Sequence, residues 1–117
     1  MAASGGSEQG RRLVIALGGN AIIPVGQEGT YEQQTAVTQL TMKQVAQLAR
    51  QGYQVVMTHG NGPVVGNIVL RNDAGMAVHG IPPMPMFVCG ADSQGGLGFM
   101  LQQALQNALL EIGMEIP

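Results

Sequence analysis

Two short glycine–asparagine segments contain the residues whose types and spacing are best suited to chemistry. Gly18–Asn20 follows the apolar run Leu13–Leu17, and Gly60–Gly62 follows a second apolar run, Val55–Met57. Glycines allow the main chain to approach a ligand closely and to direct N–H groups at an anion, and asparagine adds an uncharged amide donor. Each segment alone also fits a tight turn. Their recurrence after two neighbouring apolar runs favours one anion site built from both.

The second segment has a further property that suits an anion. Pro63 follows it directly and stands where a helix begins, because proline is favoured at the first helical position. The free N–H groups and partial positive charge of a helix N-terminus attract anions. His59, which precedes the segment, is interpreted as a hydrogen-bonding loop residue rather than a base.

Spacing argues against several other kinds of site. No Gly-Lys pair occurs, so there is no phosphate-binding loop of the Walker type, and the dinucleotide fingerprint G-x-G-x-x-G does not follow Leu17. The stretch ADSQG resembles a nucleophile elbow, but Ala91 stands where its first glycine belongs. Asp92 or Ser93 is instead expected to cap the last helix. Neither histidine has Cys or carboxylate partners at metal-ligand spacing, so we predict no metal site.

Composition narrows the class of protein further. The chain has 117 residues, 10% of them charged, and a net charge of −2. The five basic residues are scattered, so we expect no nucleic-acid partner. No apolar stretch reaches the roughly 18 residues of a membrane span, so we expect no membrane partner. The single Cys89 excludes an internal disulfide and fits a reducing compartment, and we predict a cytoplasmic location. The small polar residues 1–11 are expected to form a flexible N-terminal lead-in.

The pattern of apolar residues predicts an α/β fold. Leu13–Leu17 and Val55–Met57 are apolar throughout, which is typical of parallel strands buried on both faces. Between them, Thr30 with Gln33 forms a capping box for an amphipathic helix that ends at Gly52. Its expected apolar face consists of Val37, Leu40, Val45, Leu48 and Ala49. Together these elements make a βαβ unit.

Two more helices are predicted after the second strand. The first runs from Pro63 to about Asp73 and ends near Gly75. The last has the clearest periodicity in the chain, with an apolar stripe at Leu97, Met100, Leu101, Ala104, Leu105, Ala108, Leu109 and Ile112. Its opposite face is rich in amides rather than charges (Gln102, Gln103, Gln106 and Asn107), which fits either an ordinary surface helix or a subunit contact.

These elements are too few for a complete domain. Both strands have the apolar pattern of strands in the middle of a sheet, so a sheet of these two alone would leave its edges unpaired. We therefore interpret residues 12–117 as the N-terminal half of a larger α/β domain.

Four motifs in order resemble carbamate kinases, of the amino acid kinase family. They are ALGGNA at 16–21, THGNGPVVGN at 58–67, PMPMFVCGADSQG at 83–95 and GFMLQQALQN at 98–107. The resemblance extends from about Arg12 to Ile112. It implies part of a three-layer αβα sandwich with a mainly parallel sheet, truncated in this chain.

The resemblance also implies an activity and the roles of the two segments. Such enzymes transfer a phosphoryl group between ATP and carbamate, giving carbamoyl phosphate and ADP, and run toward ATP in arginine breakdown. Gly18, Gly19 and Asn20 match the loop that holds the transferred phosphoryl group, with Gly19 and Asn20 as the catalytic candidates. Gly60, Asn61 and Gly62 match the loop that faces the carbamoyl group. Mg²⁺ accompanies the nucleotide, whose pocket is expected outside this chain, and a homodimer is expected through the helix near 93–112.

Two departures from the family pattern qualify this expectation. Val64 stands where the family has glutamine, which removes one polar contact near the second loop. The only lysine, Lys43, lies in the middle of a helix, whereas phosphoryl transfer needs cations to offset the developing charge. We therefore expect the isolated chain to be inactive. The alternatives are a non-catalytic binding or dimerisation module, and another amino acid kinase with a carboxylate acceptor.

Overall fold

A computed structural model of the chain describes residues 10–115. Residues 1–9 of the predicted lead-in lie outside the described residues. The elements in chain order are β1 (Arg12–Leu17), a single 3₁₀ turn (Gly19–Ala21), α1 (Tyr31–Arg50), β2 (Gln54–His59), α2 (Gly62–His79) and α3 (Met86–Glu111). None of the described helices is long and apolar enough to span a lipid bilayer.

The two strands form a parallel ladder, as predicted. Arg12 pairs with Gln54, and the register continues to the pair of Leu17 with His59. Helix α1 makes the crossover between them, so the βαβ unit and the α/β class are confirmed. The ladder brings the carboxyl ends of both strands to the same edge.

The prediction that both faces of each strand are buried is wrong for the described residues. Burial alternates along both strands, and the side chains of Val14 and Val56 are 67% and 53% exposed. The alternate residues face the core, where Ile15, Val55 and Met57 pack against buried side chains. An apolar run shows that both faces suit burial, but it does not show which elements cover them.

The main core lies between the sheet and two helices. Its buried residues come from the end of β1, from α1 and from α3: Leu17, Met42, Val45, Ala46, Leu101, Ala104, Ala108 and Leu109. The apolar stripe predicted for the last helix therefore faces the core, and its amide-rich face is exposed. Burial of these side chains, at about 25 cal/mol per Å² of apolar surface, is what holds the strands in place.

Helix α1 begins as the sequence predicts, but its buried face is rotated. Gln33 N donates to Thr30 Oγ1 at 3.2 Å, and Thr30 N donates to Gln33 Oε1 at 3.2 Å, which completes the capping box. Gly52 follows the helix with φ of +91°. The predicted face included Leu40, which is 67% exposed, and omitted Met42, which is fully buried. The apolar face of α1 was predicted from side-chain type alone. In the structure, packing against α3 buries positions next to the predicted ones, such as Met42.

Both later helices are longer than predicted. Helix α2 passes Asp73 and continues to His79, where Gly80 ends it in the left-handed conformation with φ of +66°. Gly75 lies inside the helix, since a single glycine weakens a helix by about 1 kcal/mol without ending it.

The prediction that Asp92 or Ser93 caps the last helix is wrong. Helix α3 begins at Met86, directly after Pro85. Ser93 lies in its interior, fully buried, and its hydroxyl donates to Gly90 O at 2.6 Å. The hydroxyl of Ser93 is therefore satisfied by the backbone of the preceding turn and does not cap a helix. A serine close to several glycines resembles a cap in the sequence for this reason.

Asn72 ties α2 to the proline-rich connection that precedes α3. Its Oδ1 accepts from Met84 N at 2.8 Å, and its Nδ2 donates to Ile68 O at 3.0 Å. The same Nδ2 lies 3.7 Å from the sulfur of the buried Cys89. One side chain thus fixes the position of the connection relative to both helices.

We expect Asn72→Ala to lower the free energy of unfolding by about 1 kcal/mol, because it removes the hydrogen bond from Met84 N that holds the connection to α2. Asp73→Ala on the exposed side of the same helix is the control and should change stability by less than about 0.5 kcal/mol. Urea unfolding followed by circular dichroism measures both. Equal midpoints for the two variants would show that Asn72 does not anchor the connection.

Candidate functional site

The parallel register brings the two glycine–asparagine segments side by side. Leu17 and His59 are the last pair of the ladder, so each segment begins at the same level of the sheet. The next residue on β2 continues the contact, since Gly60 N donates to Leu17 O at 2.9 Å. His59 Nδ1 lies 2.9 Å from Gly60 O, which agrees with its interpretation as a hydrogen-bonding residue. The predicted meeting of the two segments is therefore present.

The two main chains touch at Gly19 and Gly62. A Cβ placed on Gly19 would lie 2.9 Å from Pro63 Cδ and 3.3 Å from Gly62 Cα. A Cβ placed on Gly62 would in turn lie 3.2 Å from Gly19 Cα. The 2.9 Å contact at Gly19 is shorter than real Cβ atoms make, and the 3.2 Å contact at Gly62 is tighter than most, so a side chain at Gly19 would force the segments to shift and one at Gly62 would require a small adjustment.

The other two glycines of the segments have a different environment. A Cβ on Gly18 would meet nothing within 4 Å, and a Cβ on Gly60 would meet only Leu17 O, at 3.9 Å. Gly18 has φ of −78°, a conformation that any residue adopts. Neither close packing nor an unusual backbone conformation explains why Gly18 and Gly60 are glycines. The open space beside Gly18 is what close approach of a ligand to the main chain requires.

Main-chain donors converge on this edge of the sheet. The 3₁₀ turn closes with Ala21 N donating to Gly18 O and Ile22 N donating to Gly19 O, both at 3.0 Å. The first N–H groups of a helix have no acceptor within it, so those of Gly19 and Asn20 are available, as are those of Gly62 and Val64 at the start of α2, where Pro63 has none. Among the described residues, Asn61 makes no side-chain cap on α2. The arrangement can therefore offer neutral donors from two directions.

No cation of the described residues lies on the two segments. Lys43 is exposed and pairs with Glu111 at 3.2 Å, between α1 and α3. Arg71 lines a groove of about 290 Å³ between the three helices, together with Asp92. The described residues also contain no group of three or more His, Cys, Asp or Glu that could hold a metal ion. The site can thus orient an anion but supplies no charge to neutralise it.

Val64 lies one residue beyond the contact and faces an apolar cluster. It packs against the buried side chains of Ile22, Ile23 and Leu97. A valine suits this environment, since a glutamine there would need a hydrogen-bond partner among apolar groups. Ile22 and Ile23 directly follow the 3₁₀ turn, so their burial in this cluster helps to fix the position of the first segment. The sequence indicated only that both residues are apolar, so this supporting cluster was not predicted.

The fold and this edge define the class: an α/β protein with glycine-rich turns at the carboxyl ends of parallel strands. No model of a protein family matches the chain. Carbamate kinase from Pyrococcus furiosus is 54% identical over 106 residues, a match that covers 91% of this chain and 34% of the relative. Carbamate kinase from Trichomonas vaginalis is 47% identical over 104 residues, which cover 89% of this chain and 33% of the relative.

The solved structures give the same result. Carbamate kinase from Giardia lamblia bound to AMP-PNP superposes with a TM-score of 0.85 at 40% identity, over 92% of this chain and 37% of that one. The chain is therefore homologous to the N-terminal third of carbamate kinases, and its fold is the corresponding part of theirs. It spans only about a third of the length of the curated relatives that it matches, with 34% coverage of the Pyrococcus furiosus protein.

We expect Gly19→Ala to lower the free energy of unfolding by about 1–3 kcal/mol, because its methyl group would overlap Pro63. Gly18→Ala is the matched control, and there we expect no loss and a gain of up to about 1 kcal/mol from reduced freedom of the unfolded chain. Thermal unfolding of both variants decides. If the two alanines had the same effect, the contact between the segments would not constrain the fold.

Proposed function

We propose that this chain forms the phosphoryl-acceptor part of a carbamate kinase, which transfers a phosphoryl group between ATP and carbamate. The observation that carries the proposal is the contact of Gly19 with Gly62, which unites two separate glycine–asparagine segments at one edge of the sheet. The similarity to carbamate kinases over nine-tenths of the chain, 91% for the Pyrococcus furiosus protein, supports the choice of reaction.

Main-chain donors suit this reaction. In phosphoryl transfer the charge spreads over the three equatorial oxygens of the moving group, and preorganised N–H groups stabilise it without any rearrangement. In our proposal Gly18, Gly19 and Asn20 hold the phosphoryl group, with Gly19 and Asn20 acting on the reacting atoms. Gly60, Asn61 and Gly62 orient the carbamoyl end. The open space at Gly18 gives the phosphoryl oxygens access to the main chain.

The nucleotide and its magnesium ion belong to another part of the site. Mg²⁺ supplies charge neutralisation between the phosphates of ATP or ADP. The described residues hold no group of three or more His, Cys, Asp or Glu that could hold a metal ion. We propose that the nucleotide pocket, with its ion, lies in the part of a carbamate kinase that this chain does not match. The Giardia lamblia carbamate kinase, whose solved structure contains AMP-PNP, is a longer chain of which this one covers 37%.

We expect the 117-residue chain alone to make no ATP from ADP and carbamoyl phosphate, because residues 10–115 place no lysine or arginine on the two segments. A chimera should restore the reaction, with residues 12–115 replacing the aligned part of the Pyrococcus furiosus carbamate kinase. In this chimera we expect Asn20→Ala to lower kcat by about 10²–10³, the loss typical of one donor to a developing charge.

Gln27→Ala is the matched control, since Gln27 is an exposed amide in the loop that follows the 3₁₀ turn. It should leave the kcat of the chimera unchanged. ATP formation is measured by a coupled assay. Turnover by the isolated chain would refute the argument from missing cations, and an Asn20→Ala chimera with the kcat of the unaltered chimera would refute the role of that amide.

A second part of the proposal concerns the oligomeric state, the cellular location and the metabolic role of the enzyme. Helix α3 exposes the amides of Gln102, Gln103, Gln106 and Asn107 beside Leu110, which is 54% exposed. A polar but uncharged surface of this kind suits partial burial, and we propose that two copies associate through the part of α3 near 93–112. We further propose a cytoplasmic enzyme of arginine breakdown that works toward ATP. The alternative of a non-catalytic dimerisation module rests on the same helix face.

We expect Leu110→Glu to shift the chain from dimer to monomer, because it places a charge in the proposed contact. Leu70→Glu is the control, at a leucine of α2 that is 65% exposed. Sedimentation equilibrium of the three proteins measures the change. A wild-type chain that is monomeric, or a Leu110→Glu variant that stays dimeric, would contradict this use of α3.

A further inference from the structure

The loop that follows the 3₁₀ turn is attached to the first turn of α1 at Gly29. Gln33 Oε1 accepts from Gly29 N at 2.9 Å, and Gln34 Nε2 donates to Gly29 O at 2.7 Å. Two successive glutamines thus hold both polar main-chain groups of one residue. Gln33 also completes the capping box of α1, whereas Gln34 Nε2 makes no other hydrogen bond to the described residues. The side chain of Gln34 is therefore the part of this attachment that does not also start the helix.

Gly29 lies against the side chain of Ile23. A Cβ placed on Gly29 would lie 2.9 Å from Ile23 Cδ1, and Gly29 has φ of +77°, so both space and backbone conformation require glycine there. Ile23 is 6% exposed and belongs to the apolar cluster with Ile22 and Leu97. The hydrogen bond of Gln34 therefore holds Gly29 against a residue that is itself buried.

Ile23 is in turn bonded to the first glycine–asparagine segment. Ile23 N donates to Gly19 O at 2.9 Å, and Ile22 N donates to the same oxygen at 3.0 Å. That oxygen and the N–H of Asn20 belong to one planar peptide group. The bonds that fix Gly19 O therefore also fix the direction of the Asn20 N–H.

We propose that Gln34 is a positioning residue for phosphoryl transfer, which acts through the loop on the N–H of Asn20. The path consists of one hydrogen bond to Gly29, one packing contact with Ile23 and one hydrogen bond to Gly19 O. This role rests on the proposed function, in which the Asn20 N–H binds the phosphoryl group. Donors stabilise a developing charge best when their direction is set before the reaction, and a misplacement of about 1 Å costs up to about a hundredfold in rate.

A role of Gln34 in stability alone would have different consequences. Residues 25–28 of the loop are exposed, so detaching the loop uncovers little apolar surface. The capping box of Thr30 and Gln33 stays complete without Gln34. If Gln34 only attached the loop, its loss would leave the amide of Asn20 unchanged in the folded chain.

The first test compares Gln34→Met with Gln44→Met in the ¹⁵N-labelled 117-residue chain. Methionine is unbranched and flexible like glutamine but has no N–H donor, so Gln34→Met removes the bond to Gly29 O. Gln44 is an exposed amide of the same helix and is the matched control. We expect the amide resonance of Asn20 to shift in Gln34→Met and to keep its position in Gln44→Met. Shifts limited to residues 24–34 would overturn the proposal.

The second test separates the positioning role from the proposed function. In the chimera, Gln34→Met should lower kcat about tenfold or more and leave KM for ADP unchanged, because the nucleotide is proposed to bind elsewhere. Gln44→Met should leave both constants unchanged. If Asn20→Ala lowers kcat and Gln34→Met does not, the positioning role is overturned and the proposed function stands.

The remaining outcomes are also decisive. If neither Asn20→Ala nor Gln34→Met changes kcat, while the Asn20 resonance shifts in Gln34→Met, the structural path is supported and the proposed function of the segment fails. Circular dichroism shows whether Gln34→Met keeps the helix content of the wild type. If it does not, Gln34→Ala replaces it with the same expected results.

Discussion

The contact between the main chains of Gly19 and Gly62 is the constraint on which the candidate site depends. It places the first glycine–asparagine segment against the start of α2, with no side chain between them. The contact in turn requires the register of the ladder, which ends at the pair of Leu17 with His59. A slip of one residue would turn every side chain of a strand to the opposite face, so burial of Ile15 and Leu17 in the core fixes the register. The site is therefore held by the core that α1 and α3 build.

This constraint divides the glycines of the site by what they do. Gly19 and Gly62 are needed for packing, since any side chain there would meet ring or backbone atoms. Gly18 has open space beside it and an ordinary backbone conformation, so packing does not explain it. Donors from the main chain carry no net charge, and none of the described basic residues belongs to either segment: Arg11, Arg12, Lys43, Arg50 and Arg71. In the proposed reaction, the charge that offsets the moving phosphoryl group does not come from the described residues of these two segments.

Much of this arrangement could be predicted from the sequence, because it depends on local signals. The two apolar runs identified the parallel strands, the pair of Thr30 and Gln33 identified the start of α1, and the stripe from Leu97 identified the core face of α3. The predicted start of α3 at Asp92 or Ser93 was wrong, since the hydrogen bond of Ser93 to Gly90 is invisible in a sequence. Which glycine packs and which stays open depends on contacts between segments some 40 positions apart, about the separation of Gly19 from Gly62, and no local pattern reports them.

The central claim is that the two segments bind one anion together, and a titration of the ¹⁵N-labelled chain with carbamoyl phosphate tests it most directly. The account predicts that the amide resonances of Gly19 and Asn20 shift along the same binding curve as those of Asn61 and Gly62. Shifts confined to one segment, two different curves, or no shift in either segment would contradict it.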